Sequence, residues 1–539
     1  MKTLPFKGSF LAAVALTALA VTAAPVTPTP AMAADGATTV IRGGTIYDGS
    51  TRPPIVGDVV ITGARITYVG PTRPAARGAR IVDARGLVVA PGFIDPHTHP
   101  RGYIDSDAAQ DRLNLPWLMQ GVTTIFVGVD GGGTPHVADF FDALETKGFG
   151  TNVGAYVGFG PVRRAVLEDD ARAPSPAELD KMKALVAGAM CEGALGLSTG
   201  LFYAPQSFAK TGEVVALARE AAARGGLYDT HQRDESSYSI GVAQSVAEAI
   251  DIGKQADIPV HFAHIKALGV DVHGKAGEII AMIEKARAAG QRVTADQYPW
   301  EASGTGIEAA LLPRWAVDGG RSALLARLDN PADLARIKEA MAENMRRRGG
   351  AHSLLLTAPD REWTALRLDA IAARWKMTPI DAALKIVRHD EDGGSLVSFN
   401  MAEEDIRAFM TQPWVVTGSD GSPGHPRMFA SFPQKYAKYV VDGKLIDMTD
   451  FINSSTGRTA DIFGLADRGY LKPGYYADVL LLDPATYRPQ ATYVAPRELT
   501  KGVRSLFVNG QQVIESGKPT GIAAGKAIRR TPPGGSCPG

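Results

Sequence analysis

At 539 residues, with an apolar fraction of 45% and 59 glycines, the chain is too long for one minimal domain and apolar enough to bury a large core, which excludes a disordered protein. Lysine plus arginine and aspartate plus glutamate both total 57, and no basic stripe breaks the balance, so neither nucleic acid nor an anionic membrane is the expected partner. A small molecule fits better.

Lys2 and Lys7, the apolar run from Phe10 to Ala24 and the small residues Ala31-Met32-Ala33 follow the order of a secretory signal peptide over residues 1–33. About fifteen mostly Ala and Val residues fall short of the roughly twenty that span a bilayer, so a secreted or periplasmic protein is expected, with no membrane association once the signal is removed. Cys191 and Cys537, the second in a Gly/Pro-rich stretch, read as no disulfide framework, which leaves stability to core packing.

Short β-branched runs at 39–46, 58–61 and 65–69, broken by glycines, predict hairpins, and the same texture returns at 477–482, 502–509 and 512–515. The two chain ends are therefore expected to build one small discontinuous β-sandwich from residues 34–90 and 460–522, followed by a disordered tail over 523–539. Between them, apolar strand-like runs at 87–94, 123–129, 152–157, 194–198, 227–230, 259–263, 292–295 and 414–417 alternate with helical periodicity, as at 177–190, 213–224, 242–255 and 278–289. Eight such units over residues 91–459 suit an α/β fold of the (β/α)8 TIM-barrel type, whose doubly buried parallel strands read as apolar runs. A doubly wound sheet gives similar texture. The stretch 305–412 is far longer than one helix and is expected as an insertion whose first part is a lid.

In a parallel barrel the carboxyl ends of the strands share one mouth. His97 and His99 end the first strand, two residues apart and so on one face. Asp130 ends the second, His231 the fifth, His264 and Lys266 the sixth, Asp296 and Tyr298 the seventh, and Asp420 the eighth. Taken singly, His264 or His261 reads equally as a core histidine and Asp420 as a helix cap. As a set, four of only ten histidines at strand ends point to a divalent-cation site.

The run Pro91-Gly92-Phe93-Ile94-Asp95-Pro96-His97-Thr98-His99 resembles the first-strand signature of the amidohydrolase superfamily. Later blocks resemble the D-aminoacylase (N-acyl-D-amino-acid deacylase) family: Gly121-Val122-Thr123-Thr124, the segment from Gly196 to Tyr203, Thr230-His231-Gln232-Arg233-Asp234-Glu235, His264-Ile265-Lys266, the segment from Thr294 to Pro299, and the segment from Gly418 to Arg427. The resemblance implies a barrel with a β-sandwich and a site for one or two divalent ions, usually Zn2+, with Mn2+ or Co2+ as substitutes. It places His97 and His99 on the more exposed ion and His231 and His264 on the tighter one, with Asp420 as ligand and catalytic proton shuttle. Asp130 stands where the family often has a bridging cysteine; a carboxylate can bridge through its two oxygens, with less selectivity for zinc. A carbamylated-lysine bridge is disfavoured, because strand four ends Leu197-Ser198-Thr199 without a lysine.

A Lewis-acid cation polarises an amide carbonyl and acidifies water, and Asp420 can take the water's proton and return it to the leaving nitrogen. Lys266 lies on the same face as His264, placed for a substrate carboxylate; Tyr298 and Tyr203 add substrate contacts, and His425 and Arg427 shape the side-chain pocket. The expected activity is hydrolysis of an N-acyl-amino acid to a carboxylate and a free amino acid, the D configuration resting on the resemblance. The alternatives are a dipeptidase on D-residue peptides or a cyclic-amide hydrolase with the same metal site. A non-catalytic binding protein has no need of a shuttle carboxylate.

Overall fold

A computed structural model describes residues 38–390 and 393–537. The expected signal peptide, residues 1–33, lies outside the described residues. Among those described, no helix is long and apolar enough to cross a membrane.

The central layer holds eight parallel strands: β1 (Phe93–Asp95), β2 (Val122–Val127), β3 (Asn152–Ala155), β4 (Gly196–Gly200), β5 (Leu227–His231), β6 (Val260–Phe262), β7 (Val293–Gln297) and β8 (Val415–Thr417). They form two hydrogen-bonded arcs. One is β1-β2-β3; the other starts at Val157–Gly158, directly after β3, and runs through β4, β5, β6 and β7 to β8. A parallel bridge between Thr98 and Gly421 brings the segments beyond β1 and β8 together. Asp95 fixes that junction, Oδ1 accepting from the Ser419 amide and Oδ2 from Trp117 Nε1, each at 2.9 Å. Every residue of β1, β2 and β8 is buried, as strands covered on both faces require. Ala460 and Phe463 of helix Gly457–Phe463 pack with Phe126, Leu195 and Leu227. The expected sandwich boundary at 460 is thus corrected: residues 457–463 pack with the central parallel strands.

Residues from both chain ends do share one unit, but it is a single nine-stranded mixed sheet and not a two-sheet sandwich. Val88–Pro91 pairs antiparallel with Val479–Leu482 and so joins the two ends. Bulges along the ladders bend the sheet until Arg65 bridges Tyr476, and the curl encloses Ile41, Val59, Ile61, Val479 and Phe507. The run 87–94 is likewise two strands. Its first half joins this sheet and its second is β1. Gly92 is the joint: a Cβ there would stand 2.3 Å from the Thr123 side chain, so no larger residue fits.

The insertion spans residues 302–399, correcting the expected 305–412. It has a three-stranded antiparallel sheet, Ala302–Gly306, Ser395–Phe399 and Leu354–Leu356, and its own core of Ile337, Met341, Leu354 and Ile386. The following helix, Glu403–Met410, instead buries Phe409 in the core around the central parallel strands.

The expectation of a disordered tail is also corrected. Beyond residue 522, Gly525 N donates to Phe149 O at 2.8 Å, Ile528 N to Val153 O at 2.8 Å and Arg530 N to Gly193 O at 3.0 Å. Cys537 then closes a disulfide with Cys191, 346 residues away. Backbone groups beside β3 supply the partners, which the Gly/Pro-rich composition of the segment conceals.

Lys435 sits buried beneath β8, its Nζ donating to Thr417 Oγ1 at 2.8 Å and Ser454 Oγ at 3.2 Å. Burial, with Arg458 adding to it, pushes its pKa down to about 7. An unfolded lysine titrates near 10.4, so between about pH 7 and pH 10.4 the unfolded chain binds more protons and stability rises with pH. Lys435→Met is expected to flatten that rise, up to about 1.4 kcal/mol per pH unit in the window, as read from denaturation midpoints at pH 7 and pH 9.

Candidate metal centre

The strand ends bring the predicted ligands together. Asp130 is at the centre: its Oδ1 lies 3.4 Å from His97 Nε2, 3.5 Å from His231 Nδ1 and 3.2 Å from His264 Nε2, and its Oδ2 lies 3.3 Å from His99 Nε2. Asp420 Oδ1 is 3.3 Å from His99 Nε2 and 3.7 Å from His97 Nε2. Two ligand sets result, His97, His99, Asp130 and Asp420 on one side and Asp130, His231 and His264 on the other, with Asp130 common to both. Asp130, His264 and Asp420 have φ of 53°, 35° and 48°. Left-handed backbone at non-glycine residues costs about 1–3 kcal/mol each and turns these side chains inward just past their strands.

These residues fit a divalent cation. Ligands bound at about 2.1 Å in a tetrahedron stand about 3.4 Å apart, which is the spacing seen here. His97 is fully buried and both its ring nitrogens lack hydrogen-bond partners, which is costly unless a ligand engages them. Burial pushes the pKa of Asp130 up, but His97, His264 and His231 outweigh it and hold the carboxyl well below its usual range. Asp420 behaves alike: burial raises its pKa, and Arg427 at 2.6 Å together with the histidines reverses the shift. The site thus presents ionised carboxylates and imidazoles to whatever it binds.

Glu235, not among the predicted site residues, supports the second set. Its Oε2 lies 3.7 Å from His231 Nε2 and its Oε1 3.3 Å from His264 Nδ1, so its charge sits beside the ring nitrogens turned away from Asp130. The signal was present in the sequence as a carboxylate four residues after His231. Asp296 takes a related place, accepting from the His264 amide at 3.0 Å and lying 3.1 Å from His261 Nε2 and 3.8 Å from His97 Nδ1.

The cluster opens into a cavity of ≈ 600 Å3, partly walled by residues 303–306 and 395–397 of the insertion. Lys266, Tyr203, Tyr298, His425 and Arg427 all line it. Lys266 Nζ contacts Glu235 Oε1 and His264 Nδ1, both at 2.6 Å. The Tyr203 ring lies 4.8 Å from the His231 ring, tilted by 56°. The Tyr298 ring lies 4.9 Å from the Arg427 guanidinium and its hydroxyl reaches Met401 Sδ at 3.8 Å. His425 Nδ1 accepts from the Arg427 amide at 3.0 Å, and its Nε2 lies 3.0 Å from Ala302 O, tying the β8 loop to the insertion.

The amidohydrolase family profile matches residues 88–513, through the central parallel strands, the insertion and the terminal sheet. The chain belongs to the amidohydrolase family. It is 33% identical to the D-aminoacylase of Alcaligenes xylosoxydans xylosoxydans over 91% of this chain and 97% of that one. A solved D-aminoacylase, described for the functional role of its binuclear metal centre, is 31% identical with a TM-score of 0.76, covering 91% and 99% of the two chains. An N-acyl-D-glutamate deacylase from Bordetella bronchiseptica, complexed with zinc and a phosphonate mimic of the tetrahedral intermediate, is 29% identical with a TM-score of 0.78 at the same coverage.

In this amidohydrolase, Glu235→Gln is expected to weaken Zn2+ affinity about 10–100-fold by removing the negative charge behind both histidines. Competition with a chromogenic chelator checks this, and unchanged affinity would deny Glu235 that role.

Proposed function

We propose that the chain is an exported, metal-dependent hydrolase that cleaves the amide of N-acyl-D-amino acids to a carboxylate and a free amino acid, on a closed eight-stranded barrel. The observation that carries this reading is Asp130 joining two histidine sets while Asp420 faces one of them and the cavity together. The activities and metals named for the relatives support it. Export is supported by the order of residues 1–33 and by the disulfide, which an oxidising compartment preserves.

His97, His99, Asp130 and Asp420 would hold one ion, Zn2+ or else Mn2+ or Co2+, and Asp130, His231 and His264 a second. When bound, such an ion supplies Lewis acidity to an amide carbonyl and to water. Asp420 accepts the proton of the attacking water and delivers it to the amide nitrogen as the C–N bond breaks. Arg427, on the other oxygen of Asp420, keeps that carboxyl ionised and fixed. Lys266, Tyr203, Tyr298 and Arg427 surround the carboxylate end of the substrate, and the insertion acts as the lid that limits water.

The test is kcat/KM for paired N-acetyl-D- and N-acetyl-L-amino acids and mixed dipeptides, before chelation, after it, and after return of Zn2+, Mn2+ or Co2+, with elemental analysis of the purified protein. The reading expects D-selective deacylation that chelation abolishes and one of the ions restores. Preference for dipeptides or L forms, or full activity in metal-free protein, would overturn it.

A further inference from the structure

A second cavity, of ≈ 290 Å3, lies beyond the carboxyl ends of β1, β2 and β3. It shares His99, Arg101, Val129 and Gly132 with the metal cavity, so the two adjoin beside a ligand of the first metal set. Its wall is apolar: Ile104, Val127, Val129 and Ala155 are buried, and Phe140 joins them from helix Val137–Lys147. The polar side chains around it are engaged with the backbone. Thr98 Oγ1 donates to Phe126 O at 2.7 Å, while Thr134 Oγ1 accepts from the His136 amide at 3.1 Å and Asp105 Oδ1 from the Gly102 amide at 2.8 Å. Arg101 and Asp105 are exposed, which leaves charge at the rim and apolar surface inside.

Placement relative to the chemistry decides what such a wall can take. The groups around the substrate's carboxylate, Lys266, Tyr203, Tyr298 and Arg427, stand on the arc from β4 to β8, whereas this cavity is walled by segments of the β1-β2-β3 arc. A trans amide carries its acyl carbon and its α-carbon on opposite sides of the C–N bond. With the carboxylate held on one arc and the carbonyl at the metal ligands, the acyl chain leads past His99 and Gly132 toward the other. Acetyl offers that wall a single methyl group, and each further methylene buried there adds about fourfold in affinity.

We propose that this second cavity is an acyl subsite, which selects N-acyl amino acids carrying a medium-length aliphatic acyl group. The inference rests on the deacylase reading and deepens it from the amino-acid half of the substrate to the acyl half. Contacts made there are remote from the bond that breaks and equal in ground and transition states, so they lower KM rather than raise kcat.

The experiment is a chain-length series: kcat/KM for the N-acetyl, N-butanoyl, N-hexanoyl and N-octanoyl derivatives of one D-amino acid. The wild type is expected to gain about tenfold or more from acetyl to hexanoyl, chiefly through KM. Thr134→Trp, which fills the cavity from a half-buried position, should cut the hexanoyl-to-acetyl ratio about tenfold, and Phe140→Ala, which enlarges it, should raise the octanoyl-to-hexanoyl ratio. Calorimetric binding of the hexanoyl and acetyl compounds to Asp420→Asn protein, with and without Thr134→Trp, reads the same wall without turnover and should show the same loss. A flat or falling series in the wild type, or a hexanoyl-to-acetyl ratio that Thr134→Trp leaves unchanged in turnover and in binding, would overturn the subsite. Hydrolysis of the acetyl compound alongside such a result would leave the deacylase reading standing. Hydrolysis of no member of the series would sink that reading instead, with the calorimetric ratio still deciding the subsite.

Discussion

Asp420→Asn is expected to lower kcat about 10²–10⁴-fold, with KM for an N-acetyl-D-amino acid changed only a few-fold. The amide has nearly the carboxylate's shape, so the cavity wall and the spacing to His99 and His97 are preserved. What disappears is the acceptor for the water's proton and the negative charge opposite Arg427, 2.6 Å away. Since His97, His99 and Asp130 still converge, metal content should fall less than turnover does, and measuring both separates a lost proton shuttle from a lost ion. A variant that retains kcat within threefold would remove Asp420 from the chemistry.

Serine at both Cys191 and Cys537 is expected to give the largest loss of stability of any change outside the core. The chain-entropy estimate for a crosslink across 346 residues is about 6 kcal/mol, an upper bound because hydrogen bonds from residues 525–530 already dock the segment. A loss of about 2–5 kcal/mol is the expected outcome, seen as a lower Tm. Hydrogen exchange at the Gly525, Ile528 and Arg530 amides should speed up together, since Phe149, Val153 and Gly193 hold them only while the segment is docked. Unchanged Tm and unchanged exchange would show that the crosslink adds nothing to the docking.

Much of the site was legible because a parallel fold turns strand-end position into spatial proximity. His97, His99, Asp130, His231, His264 and Asp420 could be named from pattern alone, and the structure gathers all six. Glu235 escaped because it coordinates nothing in the pattern; its place behind His231 and His264 depends on how the loop after β5 folds back. The neighbour of the Tyr298 hydroxyl was hidden for a similar reason, since only three-dimensional packing brings Met401 beside it. The division of 87–94 is invisible to hydropathy, both halves being apolar and buried, and only Gly92 marks the joint. The insertion has an ordinary amphipathic texture, so its separate core around Ile337 and Ile386 could not be told from barrel helices. Two cysteines hundreds of residues apart carry no local trace of their pairing.

The sheet that joins Val88–Pro91 to Val479–Leu482 also sets a schedule for biosynthesis. While the ribosome is still making the middle of the chain, the first strands pair with one another but Val88–Pro91 lacks Val479–Leu482 and presents an open, apolar edge. The nascent protein must therefore wait, shielded from self-association, until its last strands emerge to complete the sheet.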